Sequence, residues 1–246
     1  YLRSPLNRLS NVLIIWQVGL TSFNKLISIY NLPRENRRIQ NPLKKLSSEI
    51  RLDSVSYLND DYSVSRIGDL IIKSNSITQI FSEDKKIIDG LFNILQKKIE
   101  IVEGNVYFDE ISIHELSEFE VRKNTTIISH DVPLLGATLI KAVSYNNQEK
   151  NKVKLLNLIK ELDCDFLVCN EKDLSFKIGD SGEKLTINER ILLQFIRAFM
   201  TNKNIILIDD VINQLAGVQK EKIIHKLNSL SLNKTIIFYS NHKITE

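Results

Sequence analysis

The spacing of apolar residues changes character twice along the chain. In residues 1–31, apolar positions such as Leu6, Leu9, Leu13, Trp16, Leu20 and Phe23 recur every three or four residues, the period of one face of a helix. Asn31, Leu32 and Pro33 end that pattern, because proline disfavours helix in the residue before it. Residues 34–48 are polar and basic, and Pro42 marks them as a linker. From residue 49 the period shortens. Ile50, Leu52 and the stretch 55–57 predict a strand, and residues 70–72 and 77–81 predict two more. A helix over 85–98 carries Ile88, Leu91, Phe92 and Leu95 on one face, and residues 104–108 return to strand. Helix is expected over 137–162 and 188–200. Ile205, Ile206, Leu207 and Ile208 then form an uninterrupted apolar strand ending in Asp209 and Asp210. A helix around 218–229 precedes a second such strand over 235–239. Two continuously apolar strands joined by a helix predict a parallel sheet covered on both faces.

Composition narrows the class. The chain has 246 residues, 43% hydrophobic and 26% charged, enough for one or two domains with a substantial core. The net charge of +3 is unevenly placed: residues 1–50 hold eight Lys/Arg against two Glu, so the remainder is slightly acidic. A basic leader of this kind suits either an anionic membrane surface or a solvated linker. No basic stripe interleaved with aromatics follows, so nucleic acid is not an expected partner. Cys164 and Cys169 are spaced C-x4-C without a nearby histidine, which fits neither a zinc knuckle nor a redox pair and predicts core thiols. The longest apolar run near the start, residues 12–20, includes Gln17. A spanning helix needs about 20 residues, so no segment is expected to cross a bilayer alone.

The candidate chemistry lies at the strand ends. Carboxylates at the carboxyl end of a central strand, with a histidine after the next strand, are how P-loop ATPases hold magnesium and polarise water beside a γ-phosphate. Alone, Asp209 and Asp210 read more often as the start of a solvated loop, and His242 as a structural histidine. Other segments fall in a matching order. Residues 178–185 read IGDSGEKL, and Leu185, Thr186, Ile187, Asn188 and Glu189 follow, with Arg190, Arg197 and Ala198 on the next helix. Upstream lie Val121, Arg122 and Lys123, then residues 127–131 (IISHD) and 134–138 (LLGAT). Residues 104–110 read GNVYFDE, and Leu32, Pro33, Arg34 and Glu35 follow the first helix.

In this order the chain resembles the nucleotide-binding domain of exporter-type ABC transporters. In that resemblance 178–185 is similar to the approach to the signature, Leu185 to Glu189 stands in place of LSGGQ, and residues 205–210 match Walker B. His130 lies in the Q-loop and His242 at the switch histidine. The resemblance implies an α/β fold: a RecA-like P-loop NTPase core with a small antiparallel β portion near 49–81 and a helical subdomain over roughly 137–200. It implies the cytoplasmic end of a last transmembrane helix over 1–36, a linker over 37–48, and a nucleotide-binding-like domain over 49–246, truncated at its C-terminal end. It further implies magnesium ATP as the family's ligand, with Asp209 toward the metal, though the isolated chain is expected to bind it weakly or not at all. The partners would be a second nucleotide-binding domain and the transmembrane domain of the same polypeptide, at the cytoplasmic face of the cell membrane.

The departures are as informative as the matches. Successive backbone N–H groups fold around phosphate only where glycines allow it, and a lysine opens the helix that follows. Between Phe81 and Gly90 there is no glycine. The position of that lysine holds Ile88, and that of the magnesium-binding hydroxyl holds Asp89. Lys85 and Lys86 precede the slot, and Ser82 or Asp84 is expected to cap the helix instead. Asp210 replaces the catalytic glutamate, His130 the Q-loop glutamine, Ala216 the D-loop aspartate and Asn59 the adenine-stacking aromatic, with Tyr62 close by. Ile187 and Asn188 replace both signature glycines, while Thr186 and Asn188 retain hydrogen-bonding groups for a partner's γ-phosphate. The leading expectation is a degenerate dimerisation and coupling module. The alternatives are a slow but genuine ATPase using Asp210 and His242, and a soluble interaction domain.

Overall fold

The computed structural model describes residues 3–32, 49–59, 61–136, 138–144, 148–168, 173–215 and 217–240. They fall into two units, residues 1–36 and residues 37–246. The first holds one helix, α1 (Arg3–Tyr30), and the side chains from Asn11 to Leu32 are exposed, Trp16 and Phe23 among them. Its segment Asn11–Tyr30 is long and apolar enough to cross a membrane by length and composition. This differs from the expectation drawn from the uninterrupted run of nine residues. A helix tolerates isolated polar groups that bond along its own backbone, and the Thr21 and Ser22 hydroxyls donate to the carbonyls of Gln17 and Val18. The basic stretch read as a linker, with Pro33, Arg34 and Glu35, lies outside the described residues.

The second unit runs β1 (Ile50–Leu58), β2 (Val64–Ile67), β3 (Leu70–Ile72), β4 (Ile77–Ile80), α2 (Lys85–Leu95), β5 (Ile101–Phe108), β6 (Ile111–Ser112), α3 (Glu118–Asn124), β7 (Thr125–Ile128), α4 (Leu139–Val143), α5 (Gln148–Glu161), α6 (Ile187–Met200), β8 (Ile205–Asp209), α7 (Gly217–Ser231) and β9 (Thr235–Tyr239). The strands form two sheets. One is antiparallel, β2-β1-β5-β6 with β3 also on β1; the other is ordered β4-β9-β8-β7 with every pairing parallel. The expected parallel pairing of 205–208 with 235–239 is present in register from Ile205↔Thr235 to Asp209↔Tyr239. The antiparallel portion was expected within 49–81. Ile77–Ile80 belongs instead to the parallel sheet, as its edge strand beside β9, while β5 joins the antiparallel one. Strand order is a tertiary property, and local alternation does not carry it.

Two apolar cores flank the parallel sheet, and β8 shows why its sequence reads as continuously apolar. Ile206 and Ile208 enter a core shared with α4, α5, α6 and α7, whereas Ile205 and Leu207 enter one shared with α2 and the antiparallel sheet. Helix expected over 137–162 is two helices: α4, capped by the Thr138 hydroxyl, ends at Val143 with Ser144 as its C-cap, and α5 is separate. Cys164 is a buried free thiol whose pKa is pushed up to about 12, chiefly by burial. Cys169 lies outside the described residues.

Candidate functional site

The carboxyl edge of the parallel sheet gathers most of the residues singled out in the sequence. β8 ends at Asp209, whose side chain is only 7% exposed. One carboxylate oxygen, Oδ2, lies 3.5 Å from Nζ of Lys85 at the start of α2, and Oδ1 has no hydrogen-bond partner among the described residues. Burial pushes the Asp209 carboxyl up, Lys85 draws it back, and Asp210 and Asp131 push it up again. Burial lowers the Lys85 ammonium, yet Asp209, Asp89 and Asp131 outweigh that, and its pKa ends above the usual lysine value. Asp89 is likewise raised, first by desolvation and then by Asp209, Asp131 and Asp84, against the opposing pull of Lys85.

The segment between β4 and α2 closes on itself. The Ser82 hydroxyl donates to the Asp84 carbonyl at 3.0 Å and accepts from the Asp84 N–H at 3.2 Å. Asp84 is the N-cap of α2, and its carboxylate accepts from the Lys86 N–H at 2.9 Å. Of the two capping candidates it is therefore Asp84 that caps. Ile88, in the slot of the phosphate-binding lysine, is 1% exposed and part of the core. Lys86 reaches Asp61 at 3.7 Å on the surface, an exposed pair of little energetic weight. Asn59 spends its amide on Ser63 of its own turn and on Ser65 of β2, and Tyr62 is exposed.

A polar network follows β8. Asp210 has φ +38, and its N–H donates to the Tyr239 carbonyl at 3.1 Å. The Asn213 amide donates to Asp210 at 3.4 Å and to the Ser240 hydroxyl at 2.7 Å, and the Gln214 amide meets both the Asp210 carbonyl and the His130 ring. His130 is thus joined to the segment after Walker B. His242 and Ala216 lie outside the described residues.

The start of α6 carries the residues aligned with the signature. Of Thr186 and Asn188, expected to offer hydrogen bonds to a phosphate, Thr186 is the N-cap of α6 in a capping box with Glu189. The Thr186 hydroxyl accepts from the Glu189 N–H at 3.2 Å, and the Glu189 carboxylate accepts from the Thr186 N–H at 2.8 Å and from its hydroxyl at 3.0 Å. Threonine followed three residues later by glutamate satisfies the orphan donors of a helix start reciprocally. Leu185 is buried, Ile187 and Asn188 are exposed, and Glu189 is 7% exposed. Sequence reasoning missed Gln194. Its buried amide accepts from the Ser129 N–H and donates to the Ser129 and Val132 carbonyls, tying α6 to the end of β7. The available signal was a glutamine amid Ile191, Leu192, Leu193 and Phe195, an amide that burial obliges to find partners.

Magnesium ATP, which the fold family implies, does not fit these residues. The first-turn N–H of α2 already serves Asp84, Lys85 already serves Asp209, and Asp89 adds negative charge where a hydroxyl would face the metal. Among the described residues no group of three or more His, Cys, Asp or Glu side chains is arranged to hold a metal ion.

A four-stranded parallel sheet whose acid-ended strand is flanked by β7 and β9, with an antiparallel sheet on one side and a helical layer on the other, is the ABC ATPase form of the P-loop NTPase fold. The fold matches a bacterial Atm1-family ABC exporter solved with ATP bound, with a TM-score of 0.76 and 17% identity over 92% of this chain and 40% of that one. Among curated proteins the chain is similar to the ATP-dependent lipid A-core flippase of Syntrophus aciditrophicus (strain SB), at 22% identity over 99% of this chain and 41% of the relative. It is also similar to the uncharacterized ABC transporter ATP-binding protein YwjA of Bacillus subtilis (strain 168), at 22% identity over 98% of this chain and 43% of the relative. No family model matches the chain. The chain spans about two fifths of the length of these curated relatives. In fold and in sequence the chain is similar to the nucleotide-binding domain of exporter-type ABC transporters.

Proposed function

We propose that the chain is a degenerate nucleotide-binding domain of an ABC exporter, acting as a dimerisation and coupling module at the cytoplasmic face of a membrane rather than as an ATPase. One observation carries this reading. Both helix N-termini that face phosphate in the family are capped by the chain's own side chains, the Asp84 carboxylate at α2 and the Thr186 hydroxyl, boxed with the Glu189 carboxylate, at α6. A helix start offers anions a few unpaired N–H groups and the positive end of the helix dipole. Occupied by a side chain at effective concentrations no free ligand matches, it no longer binds a nucleotide with useful affinity. In this reading residues 1–36 are the cytoplasmic end of a last transmembrane helix, residues 37–48 the linker, and residues 49–246 the domain that pairs with a second nucleotide-binding domain.

The reading predicts how a complex with an intact ABC partner behaves. With this chain carried in its longer polypeptide and co-expressed with such a partner, Asp210→Asn is expected to leave ATPase activity within about twofold of the parent, well under the 1.4 kcal/mol of barrier height that a tenfold change requires. Loss of turnover on that substitution would instead make Asp210 a working catalytic carboxylate and the chain a slow ATPase.

A further inference from the structure

The misfit between these residues and a magnesium nucleotide has a consequence of its own, resting on the degenerate-site reading above. Asp209 stands at the carboxyl end of a central strand with its side chain only 7% exposed. A carboxylate so enclosed requires a cation or a proton. Among the described residues an ammonium of the same chain, Lys85 Nζ, lies 3.5 Å from Oδ2. Lys85 is the first residue of α2, one turn before the slot in which the family carries its phosphate-binding lysine, and Ile88 in that slot faces the core. The ammonium therefore reaches past the end of β9, where the Tyr239 hydroxyl meets the Ser82 carbonyl at 3.4 Å, to the end of β8. Burial lowers the Lys85 ammonium, but the charges of Asp209, Asp89 and Asp131 together raise it above the usual lysine value.

We propose that Lys85 is a built-in substitute for the divalent cation at Asp209, so that this edge of the sheet is held closed with neither metal nor nucleotide. The ammonium supplies the positive charge that the buried carboxylate needs, and the Asp84 cap supplies the anion that the start of α2 needs. Each half of a magnesium phosphate is thereby replaced by a side chain from residues 84 and 85.

Thermal unfolding of the full chain, without nucleotide and with or without millimolar magnesium, tests this. The parent midpoint is expected to be indifferent to magnesium. Lys85→Met, which keeps the aliphatic stem and removes the charge, is expected to lower the midpoint by about 5 °C, and magnesium is expected to restore at least half of that loss by taking the vacated place beside Asp209. In Lys85→Met/Asp209→Asn, with the carboxylate charge also removed, the midpoint is expected to return toward the parent's and the magnesium response to vanish. The double variant decides the matter even where the single one fails to fold. A parent midpoint that climbs with magnesium, a Lys85→Met midpoint equal to the parent's or unmoved by magnesium, or a double variant as unstable as the single one would overturn the proposal. Nucleotide is absent throughout, so these outcomes are distinct from ATP binding by the parent, which bears on the proposed function instead.

Discussion

Replacing Gly90 by alanine is expected to destabilise the domain by about 3 kcal/mol, the upper part of the range for overpacking a well-filled core. The sign is diagnostic, because glycine to alanine inside a helix ordinarily gains about 1 kcal/mol. Gly90 lies on the buried face of α2, and a Cβ built there falls 2.0 Å from the Tyr57 hydroxyl oxygen and 2.1 Å from the ring carbon that bears it. Tyr57 has little room to withdraw: it is 1% exposed on β1, and its hydroxyl donates to the Lys86 carbonyl at 3.0 Å. The glycine thus lets the antiparallel sheet close against the helix that carries Lys85 and Asp89 and is capped by Asp84. Urea unfolding of parent and variant measures the effect, and a Gly90→Ala variant as stable as the parent would contradict this account of the packing.

The second large effect concerns the start of α6. In the proposed complex with an intact partner, Leu185 to Glu189 would face the partner's nucleotide, and two features obstruct that contact. Ile187 places an exposed branched side chain where glycine would let backbone approach phosphate, and Glu189 places a carboxylate on the donors of Thr186. Ile187→Gly with Asn188→Gly clears the first obstruction and leaves the second. Adding Glu189→Gln removes the competing charge while keeping a group that can still accept from the cap. The triple variant is expected to raise the complex's ATPase rate at least about tenfold, below what a single oxyanion-stabilising donor is worth in well-studied enzymes. The double variant is expected to raise it far less. Steady-state ATPase assays on the three complexes rank them, and a triple variant no faster than the parent would mean that the signature face is not what limits turnover.

Much of the fold was legible because burial writes itself into sequence. β8 and β9 read as continuous apolar runs because each meets a core on both faces, and Asp209 and Asp210 mark where β8 leaves the sheet. The α2 cap was legible too, since serine and aspartate before an amphipathic helix have a local job to do. The short elements were not: α3 is charged along its length, and β7 begins with Thr125 and Thr126, so neither shows a clean period. Thr186 and Glu189 stood at capping-box spacing in plain view. Aligned as a worn signature, their more ordinary role as a helix start was passed over. The Lys85–Asp209 pair joins residues 124 apart, and the crowding of Gly90 by Tyr57 depends on how a sheet packs on a helix. Only the assembled fold brings such partners together.

The most direct test of the central claim is a calorimetric titration of the chain with magnesium ATP. Capped helix starts at α2 and α6, an ammonium already paired with Asp209, and extra negative charge from Asp84 and Asp89 predict no saturable binding at physiological nucleotide concentrations. A low-micromolar dissociation constant would falsify the account, and the segment from Ser82 to Asp89 would then have to rearrange into a working phosphate loop.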